Sequence, residues 1–124
     1  MSTVDKALVI DDDEDLRDAV SELLLVAGVR DCLSVASLGE LADRAGDALR
    51  SGLAMIDINL GVGQPNGVDA FRWLREHGYH GSIVFMTGHA KSDPRVVEAL
   101  AVPNTRLLAK PFSMRAITEL FERP

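Results

Sequence analysis

The feature that most constrains this chain is an alternation. Short, uninterrupted apolar runs are separated by stretches with helical apolar spacing. Ala7-Leu8-Val9-Ile10, Leu53-Ala54-Met55-Ile56 and Ile83-Val84-Phe85-Met86 contain no polar residue. A strand with one face in water would alternate apolar and polar residues, so continuous runs predict strands buried on both faces. Cys32 to Val35 and Leu107-Leu108-Ala109 read as two further strands. Leu16, Ala19, Val20, Leu23, Leu24 and Ala27 recur at three-and-four spacing and predict a helix over 14–27, stopped by Gly28. Leu38, Leu41, Ala42, Ala45 and Leu49 predict a second helix that ends near Gly52. A third is expected from Val68 to His77 with Gly78 as its C-cap. Pro94 suits the first turn of a short helix running to Leu100, and Met114, Ile117, Leu120 and Phe121 mark the inner face of a last one.

Strands buried on both faces and joined by helices make a parallel sheet with helices on both sides. Right-handed crossovers leave few topologies. For 124 residues the doubly wound, flavodoxin-like α/β sheet of five strands in the order 2-1-3-4-5 fits best, as a single domain over 1–124. An apolar fraction of 47% supports a core without disulfides. The lone Cys32 cannot form an internal disulfide, which points to a reducing, cytoplasmic setting. Met1 to Lys6 lacks the apolar run of a signal peptide, and the longest apolar stretch, Leu23 to Ala27, is too short to cross a bilayer. No membrane insertion is expected. A net charge of −6 argues against direct nucleic-acid binding, which needs clustered Lys and Arg.

That charge is unevenly placed. Of the 19 acids, five stand in a row from Asp11 to Asp15, and the remainder nearly balances the 13 bases. In an open parallel sheet the working crevice lies at the carboxyl ends of the strands, by the switch point between strands 1 and 3. Strand 1 ends in Asp11 and Asp12, strand 3 in Asp57, strand 4 in Thr87, and strand 5 in Lys110. One sheet edge thus receives three carboxylates, a hydroxyl and an ammonium. Converging carboxylates repel one another and call for a cation. Hard oxygen donors select Mg²⁺. A carboxylate beside that cation, a hydroxyl and a lysine can act as a nucleophile toward phosphorus and form an acyl phosphate. Asp13, Glu14 and Asp15 fit a helix start better, as cap and dipole partners.

The segments Leu8-Val9-Ile10-Asp11-Asp12, Met55-Ile56-Asp57, Met86-Thr87-Gly88 and Ala109-Lys110-Pro111-Phe112 resemble the four signatures of a response-regulator receiver domain, in order and across the whole chain. The resemblance implies that Asp57 accepts a phosphoryl group from a histidine kinase or a histidine phosphotransfer protein. It implies that Asp12 and Asp57 bind Mg²⁺ directly with the backbone carbonyl of Asn59, while Asp11 acts mainly through water. Thr87 and Lys110 would hold the phosphoryl group. The Lys110–Pro111 bond is expected to be cis, and His89 is expected to border the path of the hydrolytic water together with Asn59. His77 and His80 read as surface residues rather than metal ligands. The product is a switch more than a turnover enzyme, with self-catalysed phosphorylation and dephosphorylation only. It would control a downstream protein target, as a stand-alone unit or as part of a longer regulator or hybrid kinase, with a homodimer as one assembly.

Three departures stand beside the resemblance. The loop from Ile58 to Gly67 lacks the usual early proline and is longer than the common pattern. Leu107 occupies a position where many receivers carry an aromatic ring, so the usual coupling of that ring to the threonine cannot operate. Ala101-Val102-Pro103-Asn104-Thr105 replaces a familiar small-residue connection. Three alternatives remain open on the residues alone. One is a receiver-like module that signals without phosphorylation. Another is a Mg²⁺-dependent phosphatase with an aspartyl nucleophile, which would usually need an acid where Asn59 stands. The last is a flavin module, which would need a Ser/Thr/Gly-rich loop where the five acids stand.

Overall fold

A computed structural model describes residues 4–88, 93–110 and 112–121. Five strands run parallel in the order 2-1-3-4-5: β1 (Lys6–Ile10), β2 (Asp31–Val35), β3 (Leu53–Asp57), β4 (Ser82–Thr87) and β5 (Thr105–Ala109). The helices are α1 (Glu14–Val26), α2 (Leu38–Asp43), α3 (Ala45–Ala48), α4 (Gly67–Glu76), α5 (Pro94–Leu100) and α6 (Met114–Leu120). The expected doubly wound α/β sheet is therefore present.

Two cores explain why the central strands are apolar at every position. Side chains alternate across a strand. Leu8 and Ile10 of β1 face a core shared with Ala54, Ile56, Phe85, Leu41 of α2, Val68 and Leu74 of α4, and Val96 of α5. Ala7 and Val9 face the other core, with Met55, Val84, Met86, Val20 and Leu24 of α1 and Ile117 of α6. Both cores are buried against β1, β3 and β4, so every residue of β3 is buried. The edge strand β5 departs from the expectation of burial on both faces. Leu107 and Leu108 are only half-buried, and Arg106 and Ala109 are exposed, because a single strand neighbour flanks it.

The second helix also differs from the continuous segment expected. It breaks at Arg44 (φ −111°, ψ 25°), which closes α2 and opens α3. Leu41 and Ala48 both reach the core across the break, whereas Gly46, a poor helix former, sits in the short second piece. Most other helix starts carry chemistry the sequence announces. Asp13 caps α1, accepting from the backbone N–H groups of Asp15 and Leu16. Asn66 and Asp69 form a reciprocal capping box on α4. Ser37, Asp93 and Ser113 cap α2, α5 and α6.

Candidate functional site

The strand register brings the expected residues to one edge. Asp57, the last residue of β3, lies opposite Met86, and Ile56 lies opposite Ile10, one residue before Asp11. Past the strand ends, the Ile58 N–H donates to the Met86 carbonyl at 3.0 Å, and the Lys110 N–H donates to the Thr87 carbonyl at 2.7 Å. These bonds continue the sheet by one step and anchor Asp57, Thr87 and Lys110 side by side. Asp11, Asp57 and Thr87 are buried, and Asp12 is exposed.

Carboxylate oxygens of Asp11, Asp12 and Asp57 all lie within 4.8 Å of one another. Lys110 closes the cluster, with Nζ 2.9 Å from Asp11 Oδ2 and 3.3 Å from Asp57 Oδ1. The other Asp11 oxygen accepts from the Asp13 N–H at 3.0 Å, so both oxygens of this fully buried carboxylate are engaged. Arg17 of α1 donates from Nη1 to the Asp11 backbone carbonyl at 2.9 Å and ties the helix to the strand end.

Three acids against one lysine leave the crevice short of positive charge. Burial, and then the negative charge of Asp11, push the Asp57 carboxyl up to about 6, although Lys110 pulls it down. Burial also pulls the Lys110 ammonium down. Its hydrogen bond to Asp11 and the charge of Asp57 outweigh that, and the net shift is upward. A hard divalent cation fits this donor set, because all of the available side-chain donors are carboxylate oxygens and their mutual repulsion is relieved by binding.

The loop after β3 is built around the same point. Asn59 Oδ1 accepts from the Gly61 N–H at 3.1 Å, a local turn that occupies the side chain. Gly61 and Gly63 both take positive φ, and a Cβ on Gly61 would lie 3.7 Å from Asp12 Oδ2. Gly67 carries more weight. Its N–H donates to the Ile58 carbonyl at 2.8 Å, and a Cβ there would overlap the Asp57 carbonyl and come within 2.9 Å of Ile58 Cα. The first turn of α4 is thereby packed against the backbone that carries Asp57. In the sequence Gly67 stands out only as the end of the long loop that starts at Ile58. The adjoining Asn66 cap, which fixes the helix start, was the available signal.

His89 and Pro111 lie outside the described residues. His77 and His80 are exposed, and the His77 ring stacks on Trp73 with centroids 4.0 Å apart. Leu107 lies opposite Phe85 in the β4–β5 pairing and packs against the core under α4 and α5.

An open α/β sheet with an acid trio and a lysine at its switch point defines a class of phosphoryl-handling modules. The comparisons make the class specific. The response regulator receiver domain family model matches residues 7–122. The transcriptional regulatory protein FixJ of Azorhizobium caulinodans is 31% identical over 110 residues, 88% of this chain and 49% of that protein. The chain thus spans about half the length of that relative. The chemotaxis protein CheY4 of Vibrio cholerae superposes with a TM-score of 0.77 at 26% identity, covering 93% of each chain. The receiver domain of NtrX from Brucella abortus, at 22% identity and a TM-score of 0.78 over 92% of each chain, shares the fold. This chain belongs to the response regulator receiver domain family, the phospho-accepting modules of two-component signal transduction.

Proposed function

We propose that Asp57 is the phosphoacceptor of a receiver comprising residues 1–124. The observation that carries this reading is the cluster itself. The Asp11, Asp12 and Asp57 oxygens lie within 4.8 Å of one another, and Lys110 Nζ bridges two of them. An Asp57 oxygen attacks phosphorus, and the bond from phosphorus to the donor histidine nitrogen breaks. The products are an acyl phosphate on Asp57 and, because the other ring nitrogen of the phosphohistidine carries a proton as the bond breaks, a neutral histidine on the kinase or phosphotransfer protein. Asp12, Asp57 and the Asn59 carbonyl would hold Mg²⁺, which when bound would neutralise charge on the phosphoryl oxygens. Asp11 would act on that ion through water, a role supported by the engagement of both its oxygens with Lys110 and the Asp13 N–H. Lys110 neutralises one phosphoryl oxygen, and the Thr87 hydroxyl donates a hydrogen bond to another.

In this reading the chain is a switch whose only catalysis is its own phosphorylation and slow dephosphorylation. It works in the cytoplasm on a downstream protein, alone or as a homodimer, with neither direct nucleic-acid contact nor membrane insertion by this domain. No helix among the described residues is long and apolar enough to cross a membrane. Intact-mass measurement after incubation with Mg²⁺ and a small acyl phosphate tests the reading. A single phosphoryl adduct that is absent from Asp57→Asn is expected. An adduct that persists in that variant, or no adduct from any small donor or kinase, overturns it.

A further inference from the structure

Asp12 is the least restrained member of the acid cluster. It is exposed, and its carboxylate accepts no hydrogen bond among the described residues. Asp11 differs, since Lys110 and the Asp13 N–H hold its two oxygens. The direction in which Asp12 presents its carboxylate is therefore set through its backbone. One residue holds that backbone on both sides. Arg17 Nη1 donates to the Asp11 carbonyl at 2.9 Å, and the Arg17 backbone N–H donates to the Asp13 carbonyl at 3.0 Å. The Asp11 carbonyl and the Asp12 N–H belong to one peptide plane, so the guanidinium fixes the plane from which the Asp12 Cα departs. Asp11 is itself pinned to the sheet, because its N–H donates to the Val35 carbonyl at 3.2 Å. Arg17 acts from a fixed base. It is half-buried, and α1 is seated by Val20 and Leu24 in the core that Ala7 and Val9 of β1 share.

We propose that Arg17 is a positioning residue for the divalent-cation site, holding the Asp11–Asp12 peptide so that an Asp12 oxygen stays within 4.8 Å of those of Asp11 and Asp57. This rests on Asp12 and Asp57 being the residues that hold Mg²⁺. Charge and orientation make opposite demands on Arg17. A guanidinium beside the site repels a cation, so removing a purely electrostatic Arg17 would strengthen Mg²⁺ binding. A hydrogen bond that orients a ligand strengthens binding, and losing such an outer partner costs a metal site about tenfold or more in affinity. The sign of the change separates the two. Salt separates them again, because it screens the charge and leaves the hydrogen bond. A general structural role would act whether or not Asp12 carries a charge.

The test is isothermal titration of Mg²⁺ into the protein without a phosphodonor, at low and at high ionic strength. Arg17→Met keeps an apolar stem and removes the donor. Its Kd for Mg²⁺ is expected to rise about tenfold at both ionic strengths. Arg17→Gln should show the same rise, and it carries the comparison if the methionine variant does not fold. Arg17→Lys keeps the charge and a donor and should recover part of the loss. On an Asp12→Asn background, Arg17→Met should change the remaining affinity little, because the charged ligand it positions is gone. Affinity that is unchanged or higher in the neutral variants overturns the proposal. So does a tenfold loss repeated in full on the Asp12→Asn background. An unaltered protein that binds no Mg²⁺ overturns the cation site and the role of Arg17 together. Intact mass after acyl-phosphate treatment decides the phosphoacceptor separately. Mg²⁺ binding that responds to Arg17 as expected, with no adduct on Asp57, overturns the phosphoacceptor and leaves the role of Arg17 standing.

Discussion

Replacing Asp57 with Asn should remove a destabilising charge, and the gain should depend on pH in a defined window. In the folded, metal-free protein the carboxyl is pushed from 3.8 up to about 6, chiefly by burial and by Asp11. The folded state therefore binds this proton more tightly than the unfolded chain. The group's contribution to stability is complete below pH 4 and is lost as the pH rises through 6. At about 1.4 kcal/mol per pH unit the full swing is on the order of 3 kcal/mol. The window from pH 4 to pH 7 covers most of that titration and so about 2 kcal/mol of the swing. The asparagine variant does not titrate here. Its advantage over the unaltered protein should therefore grow by about 2 kcal/mol between pH 4 and pH 7. Lys110 keeps its 2.9 Å partner Asp11 in the variant, so no new unpaired charge offsets the gain. Urea unfolding of both proteins in EDTA across that range measures the difference. Added Mg²⁺ should stabilise the unaltered protein at pH 7 and narrow the gap. A stability difference that does not vary with pH would refute the assignment of a crowded, proton-seeking carboxylate to this position.

Gly67→Ala should cost about 2–3 kcal/mol by thermal unfolding and slow acyl-phosphate uptake at Asp57, because the added methyl must displace the Asp57 carbonyl. Lys110→Met should raise the Asp57 carboxyl above its present value of about 6, since Lys110 is the group that draws it down. A carboxyl carbon-13 NMR titration in the absence of metal reads that shift directly. Asn66→Ala removes one arm of the α4 capping box and should destabilise by about 1 kcal/mol in urea. Tyr79→Phe should be neutral or stabilising by up to about 1 kcal/mol, because the Tyr79 hydroxyl is buried without a hydrogen-bond partner.

The sheet was legible in the sequence because burial on both faces leaves a direct signature. The runs at 7–10, 53–56 and 83–86 have no polar interruption, and each proves to divide its side chains between two cores. The signature weakens at the edge. Leu107-Leu108-Ala109 looks like a buried strand, yet β5 has one strand neighbour and no fully buried residue. The break at Arg44 was hidden because Leu38, Leu41, Ala45 and Leu49 keep helical spacing through it. Asp11, Asp12, Asp57, Thr87 and Lys110 could be placed together from sequence because each follows a strand end, and parallel strands share one carboxyl edge. Gly67 could not be read in the same way. Its packing against Asp57 depends on how sharply the loop after β3 returns.

The acid run shows how sequence charge and site charge part company. Asp13, Glu14 and Asp15 spend their charge on a helix start, where Asp13 caps two N–H groups. Asp12 stays in water, and Asp11 is wholly buried and paired with Lys110. Only the last arrangement sets the chemistry, because it leaves Asp57 sharing its lysine with a second carboxylate. A crevice balanced by a second lysine would be more stable when empty, and it would also have less to gain from a cation. The imbalance lowers stability in the metal-free state and makes cation binding relieve repulsion. The resting fold thus carries a local electrostatic cost at the point where a bound cation would remove it.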